Sequence, residues 1–205
     1  IHKYLMAQKF VIPHSRPTVD ESDLLSVSEV IRSGRIVQGE VVEKFEKKMA
    51  KFIGVHGAVA TNTGTSALHL SLLSIGIKKG DYVAIPSFVC TALLNAVKYV
   101  GAQPILVDIN PETYNMDISN LKKRVKRSTK AIILPHLFGL PADIDEIMSL
   151  GIPVIEDCAQ AIGAVYKGKK AGSYGRLSCF SFYATKVLST GEGGMVVSDS
   201  KSLLK

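Results

Sequence analysis

Tyr82-Val83-Ala84-Ile85-Pro86, Pro104-Ile105-Leu106-Val107-Asp108, Ala131-Ile132-Ile133-Leu134-Pro135 and Pro153-Val154-Ile155-Glu156-Asp157 are four apolar runs of strand length. None alternates apolar with polar residues, and a continuous run marks a strand covered on both faces. Helix-length stretches separate them: Thr91 to Val100, one opening at Asp117, and Asp143 to Leu150. Buried strands spaced by helices predict right-handed βαβ crossovers, hence an α/β fold with a largely parallel sheet flanked by helices. Upstream, Gly57-Ala58-Val59-Ala60-Thr61 reads as another strand, running through Asn62-Thr63-Gly64-Thr65-Ser66 into a helix over Ala67 to Leu73. Downstream the helices thin out. Ala164-Val165-Tyr166, Ser178-Cys179-Phe180-Ser181-Phe182 and Met195-Val196-Val197-Ser198 read as strands in a turn-rich region. Two helices precede the alternation. Thr18-Val19-Asp20-Glu21 resembles a capping box, and Leu24, Leu25, Val27, Val30 and Ile31 give the helix it opens an apolar stripe, stopped at Gly34. A second helix carries Val42, Phe45, Met49 and Phe52 on one side and ends at Gly54.

The composition fits this fold and excludes several classes of function. The 205 residues are 46% hydrophobic and 21% charged, which suits a globular chain and excludes a disordered one. A chain of this size buries roughly 70% of its unfolded surface. Net charge is +7, and such a balance favours anionic partners. The basic runs Lys122-Lys123-Arg124-Val125-Lys126-Arg127 and Lys167-Gly168-Lys169-Lys170 read as a solvated helix end and a turn. No aromatic residues interleave with them as a single-strand nucleic-acid groove requires, so nucleic acid is not an expected partner, and phosphorylated small molecules fit the charge equally well. The three cysteines, Cys90, Cys158 and Cys179, form no CxxC pair and sit in apolar surroundings. Buried thiols in a reducing cytoplasm are expected. The N-terminus has no apolar signal core, and Met6 is a candidate start. Ile53 to Ile77 lacks Asp, Glu, Lys and Arg, but Asn62 to Ser66 interrupts it, so no membrane span is expected. The terminal Ser200-Lys201-Ser202-Leu203-Leu204-Lys205 reads as the start of a helix.

Open α/β sheets bind ligands beyond the carboxyl ends of their strands, and three segments fall there. Gly64-Thr65-Ser66 lies between a strand and a helix, where backbone N–H groups and hydroxyls suit an anion; an ordinary N-cap by Thr65 or Ser66 is the alternative. Glu156-Asp157 ends an apolar strand. A buried carboxylate needs a cation, such as a protonated pyridine nitrogen, unless Asp157 merely caps the next turn. Lys186 follows an aromatic strand, and desolvation of its ammonium would make it a nucleophilic amine; a surface Lys is the alternative. The Gly191-Glu192-Gly193-Gly194 turn is not framed as a dinucleotide loop. The scattered His and Cys residues give no metal-ligand spacing, so no metal is expected. Anion cradle, acidic partner and amine together are the parts of a pyridoxal phosphate site.

The motifs Asn62-Thr63-Gly64-Thr65-Ser66-Ala67-Leu68, Pro86-Ser87-Phe88, His136-Leu137-Phe138-Gly139, Glu156-Asp157-Cys158-Ala159-Gln160, Gly168-Lys169-Lys170-Ala171-Gly172-Ser173 and Cys179-Phe180-Ser181-Phe182-Tyr183-Ala184-Thr185-Lys186 occur in register, with Gly191-Glu192-Gly193-Gly194-Met195 behind them. In these the chain resembles the DegT/StrS-type sugar aminotransferases, a branch of the fold type I pyridoxal phosphate enzymes, from Ser33 to Val197. The resemblance implies an aspartate-aminotransferase-like large domain over residues 16–205 after an extension over 1–15, with the family's small C-terminal domain absent. It implies pyridoxal 5'-phosphate as cofactor, Lys186 as the Schiff-base Lys and proton shuttle, and Asp157 as partner of the ring nitrogen. Gln160 would lie near the ring hydroxyl, and Gly64, Thr65, Ser66 and Ser181 would form the phosphate cradle. It further implies amino transfer from glutamate to a nucleotide-linked keto sugar, in a cytoplasmic homodimer. The chain departs from the family pattern in several places. Cys90 occupies the place of the aromatic residue that stacks on the ring, with Phe88 as a substitute; Ile162, Val187 and Arg176 replace the usual His, Asn and Asp. An inactive truncated or regulatory relative and a pyridoxal phosphate-dependent dehydratase are the alternatives. Dehydratase relatives carry His in place of the Lys, which Lys186 argues against.

Overall fold

The structure is a computed structural model that describes residue 13 and residues 15–205. All of the expected N-terminal extension except residues 13 and 15, and Met6 with it, lies outside the described residues. The elements run α1 (Glu21–Arg32), α2 (Glu40–Ile53), β1 (Gly57–Thr61), α3 (Gly64–Ser74), β2 (Tyr82–Pro86), α4 (Ala92–Tyr99), β3 (Gln103–Val107), α5 (Ile118–Arg124), β4 (Thr129–Pro135), a 3-10 turn (Leu137–Gly139), α6 (Ile144–Met148), β5 (Val154–Asp157), β6 (Val165–Tyr166), β7 (Lys169–Lys170), β8 (Leu177–Ser181) and β9 (Gly194–Ser198).

Seven strands form one sheet in the order β1-β9-β8-β5-β4-β2-β3. The neighbours β8, β5, β4, β2 and β3 are parallel, and β9 runs antiparallel to both β8 and β1. The sheet is therefore mixed and largely parallel, as the strand and helix spacing predicts. Its continuous apolar strands have one cause. In β2, Val83 and Ile85 pack under α3 and α4 while Ala84 faces the opposite layer. In β4, Ala131 and Ile133 face the first layer, and Ile132 and Leu134 face α5 and α6. Both faces exclude water, so both residue sets are apolar, each buried Leu or Ile contributing about 1.5–3 kcal/mol. Met49 and Ile53 of α2 close a third cluster over Phe180, Phe182, Met195 and Val197.

Several expectations are corrected. The cap of α1 is Asp20, not Thr18: its side chain accepts from Ser22 and Asp23 N–H, and the Asp23 side chain returns to Asp20 N–H. No residue of α1 is buried, so Leu24, Leu25, Val27 and Ile31 are exposed rather than core. On α2, Phe52 is exposed and lies under the Lys170 ammonium, 4.7 Å from the ring centroid. Leu106 is exposed because β3 is an edge strand. Lys167-Gly168 is a turn, with φ of 44° and 84°, but Lys169 and Lys170 continue as a strand paired with β6; positive φ at both central residues suits a tight hairpin. Of the cysteines, Cys158 and Cys179 are buried and Cys90 is exposed. Residues 201–204 form turns rather than a helix.

Candidate active site

The cleft lies at the carboxyl ends of the central strands. β4, β5 and β8 are in parallel register, with Pro135 beside Asp157 and Asp157 beside Cys179. These three residues line a cavity of about 320 Å³ together with Gly64, Thr65, Cys90, His136, Gln160, Ser181 and Lys186. That volume falls in the usual range for small-ligand sites, roughly 300–1,000 Å³.

One wall is the start of α3. Thr63 is its N-cap, and Thr63 Oγ1 accepts from Ser66 N–H. Ser66 Oγ sits 3.0 Å from Thr63 Oγ1, so Ser66 serves the helix start and does not line the cleft. The N–H groups of Gly64 and Thr65 find no acceptor among the described residues. At a helix N-terminus they are oriented donors for an anion. The wall requires glycine twice. A Cβ on Gly64 would lie 2.8 Å from Ser181 Cβ, and one on Gly194 would lie 2.6 Å from Gly64 N. Gly194 pairs with both Thr61 and Ser181, so β9 brings the cradle loop against the end of β8.

The floor is Asp157. Its Oδ1 accepts the Ala159 N–H at 3.0 Å, and the carboxylate has no ion-pair partner among the described residues. Burial pushes its carboxyl above the ordinary value, against the opposing effects of the Ala159 N–H and the Lys186 charge. Such a group gains from a cationic ligand, because the cation offsets the desolvation that burial imposes. Lys186 faces the same cleft on the loop after β8. It is half-buried, less enclosed than its apolar neighbours in sequence suggest. Its N–H donates to Tyr183 O. The loop is pinned at Phe182, whose N–H donates to Gly193 O and whose carbonyl accepts Thr190 N–H.

Gln160 lines the cleft too, and its Oε1 accepts Phe138 N–H at 3.0 Å. Its carbonyl oxygen being engaged, the amide has its NH₂ donors left to offer. Phe88 is not brought into the cleft. It is exposed, with its ring 5.8 Å from that of Tyr114, and Val89 and Cys90 form the wall instead.

The residues that sequence reasoning left without a role are Glu156 and His136. Strand alternation turns Glu156 away from its neighbour Asp157. Fully buried, it gathers the 172–178 segment: Oε2 accepts from His136 Nε2–H (3.0 Å) and Gly172 N–H (2.8 Å), and Oε1 from Tyr174 N–H (2.8 Å), Gly175 N–H (2.6 Å) and Ser178 Oγ–H (3.1 Å). His136 Nδ1 accepts Ala142 N–H, which leaves Nε2 as the protonated nitrogen of the neutral ring. Burial alone would raise Glu156. The hydrogen bonds from His136, Gly175 and Gly172 outweigh it and hold the carboxyl below its ordinary value. His136, Glu156 and Cys158 come within 4.8 Å of one another. Glu156 already has its lone pairs engaged, and burial pushes the Cys158 thiol well up, so this cluster is not a set of free metal ligands. The motifs over 136–139, 156–160 and 168–173 were the sequence signals of this network.

Fold and cleft together define an α/β domain whose cleft sets N–H donors beside a buried acid and an amine. The family profile described as the DegT/DnrJ/EryC1/StrS aminotransferase family matches residues 17–205, and the chain belongs to that family. It is 43% identical to a GDP-perosamine synthase of Escherichia coli O157:H7 over 94% of this chain and 54% of that protein. It is 40% identical to a UDP-N-acetyl-3-dehydro-alpha-D-glucosamine 3-aminotransferase of Acidithiobacillus ferrooxidans over 97% and 56%. A Streptococcus pneumoniae protein named for sugar aminotransfer, solved in a PLP form, matches with a TM-score of 0.90 at 30% identity over 95% of this chain and 54% of that one. Its PMP form matches with a TM-score of 0.91. The chain thus spans about half the length of the relatives it matches.

The family's cofactor is pyridoxal 5'-phosphate, and the cleft fits it. The N–H donors at Gly64 and Thr65 suit a phosphate, the buried Asp157, which has no ion-pair partner among the described residues, suits a pyridinium, and the Lys186 amine suits a carbonyl.

Proposed function

We propose that this chain is the cofactor-binding portion, over residues 16–205, of a cytoplasmic homodimeric enzyme that moves an amino group from glutamate to the keto group of a nucleotide-linked sugar. The observation that carries the reading is that Lys186, Asp157 and the start of α3 share one cleft. The family and the relatives named for GDP- and UDP-sugar chemistry support it.

When bound, pyridoxal phosphate supplies an electron-poor ring that stabilises charge on the carbon from which a proton is removed. Lys186 Nζ would hold the cofactor and would move the proton between the donor carbon and the acceptor carbon. Asp157, ionised, keeps the ring nitrogen protonated. Burial raises the Asp157 carboxyl, so a cationic ring nitrogen beside it would favour its ionised form. Gly64 and Thr65 N–H, with the Thr65 and Ser181 hydroxyls, hold the phosphate. The Gln160 NH₂ donates toward the ring hydroxyl. Val89 and Cys90, which line the cleft wall, would border the ring in place of an aromatic side chain.

The test is conversion of GDP- and UDP-linked keto sugars by the complete, cofactor-loaded protein, with and without glutamate. Amino sugar formed only with the donor present supports the reading. Turnover without a donor contradicts it, because transamination then stops after one half-reaction.

A further inference from the structure

Three aromatic rings stand in the open at the rim of the cleft. Phe88 is 51% exposed, Tyr114 46% and Phe138 70%. They are contiguous: the Phe88 and Tyr114 centroids lie 5.8 Å apart, and those of Tyr114 and Phe138 6.2 Å apart with the planes at 85°. Two of them adjoin cleft residues, since Phe138 follows Leu137 and Phe88 precedes Val89, both of which line the cavity. Exposed aromatic clusters of this kind mark binding surfaces more often than accidents of packing.

The rings are held in place. Tyr114 and Phe138 both adopt left-handed backbone, with φ of 59° and 54°, a conformation that bulky residues avoid unless the surroundings impose it. Asn115, itself buried, bridges the two turns: Oδ1 accepts Leu137 N–H at 3.0 Å and Nδ2 donates to Leu140 O at 3.0 Å. The turn carrying Tyr114 is thereby clamped to the turn carrying Phe138. On the other side, Gln160 Oε1 accepts Phe138 N–H, which links the platform directly to a side chain of the cofactor cleft. Such anchoring is what a preorganised site needs and a passive loop does not.

We infer that Phe88, Tyr114 and Phe138 form a stacking platform for the nucleobase of the nucleotide-linked substrate. The inference rests on the proposed function, which requires a substrate with a sugar at one end and a planar base at the other. The cofactor and the sugar carbon that reacts occupy the cleft, and the base end extends over the rim. The rings carry no charged group and offer faces and edges to a flat, apolar partner, the geometry that base stacking uses. Stacking tolerates different bases, because every base has a π-face.

The experiment measures GDP and UDP binding by equilibrium dialysis to the complete, cofactor-loaded protein. The variants are Phe138→Asn and Tyr114→Asn, since Asn accepts left-handed backbone, with Phe88→Ala, the ring-preserving Tyr114→Phe, and Tyr99→Asn as a control at an exposed ring elsewhere. Losing a stacked ring is expected to weaken binding about ten-fold, with Tyr114→Phe and Tyr99→Asn unchanged and far-UV circular dichroism unaltered. Wild-type protein that binds GDP or UDP while the ring-deleted variants bind equally well overturns the platform and leaves the proposed function standing. Altered subunit association at unchanged nucleotide affinity also overturns it and assigns the rings to a chain–chain contact. Wild-type protein that binds neither nucleotide removes the nucleotide-linked substrate itself.

Discussion

Glu156→Gln tests the buried network behind the site. The substitution keeps size and shape but replaces one acceptor oxygen by an NH₂. If Nε2 takes the Oε2 position, it meets the Gly172 N–H and the His136 Nε2–H, both donors. The opposite orientation is no better, because Nε2 then faces the N–H groups of Tyr174 and Gly175. His136 cannot rescue the first orientation by changing tautomer, since Nδ1–H would then face Ala142 N–H. At least two buried donors therefore lose their acceptor. At about 1–3 kcal/mol each, the loss is roughly 2–6 kcal/mol, a large part of a domain stability of about 5–15 kcal/mol. Urea unfolding followed by far-UV circular dichroism at pH 7 reads it. The pH dependence gives a second check. Glu156 is held below its ordinary value, so its contribution is full above the unfolded pKa, about 4.3, and is lost as pH falls through the lower folded value. The gap between wild type and variant closes in that acid window, because a protonated Glu serves the donors no better than Gln. A loss under about 1 kcal/mol at pH 7, or a gap that persists in acid, refutes the reasoning.

Asp157→Asn moves stability in the opposite direction. Burial raises Asp157, so its ionised form costs the cofactor-free fold stability as pH rises through the folded value, and below about pH 4 wild type and variant converge. The variant should melt higher than wild type at pH 7 without cofactor while binding the cofactor less tightly; scanning calorimetry with and without pyridoxal phosphate checks both. Gly194→Ala puts a methyl 2.6 Å from Gly64 N. It should cost about 1–3 kcal/mol and weaken cofactor binding by shifting the cradle, read by urea unfolding and by cofactor titration followed in the visible spectrum.

Much of the fold was legible because the sheet is covered on both faces. β2, β4 and β5 are apolar at successive positions, and β2 is found where the run over Tyr82 to Pro86 puts it. β3 was legible as a strand, but its edge position was not: Leu106 is apolar in sequence and exposed in the fold. The stripe on α1 misled for a related reason, since periodicity reports an apolar face without saying whether the described residues cover it. Of the site, Lys186, Asp157, Gly64, Thr65, Gln160 and Ser181 meet in one cleft, as the order of motifs along a parallel sheet allows. Glu156 was harder to read. Its neighbour Asp157 has the same charge and strand, and only the pleat separates a residue facing the cleft from one buried behind it. Phe88 and Cys90 show the same limit: two positions apart, one is turned to the rim and the other lines the wall.

Lys186 is proposed as the amine that would carry the cofactor. Borohydride reduction of the pyridoxal phosphate-loaded protein, followed by peptide mass mapping, tests it directly. The cofactor's mass is expected on the peptide carrying Lys186, with the protein's visible absorption lost on reduction and no stable label in Lys186→Ala. Label on another lysine, or a visible spectrum unchanged by Lys186→Ala, contradicts the assignment.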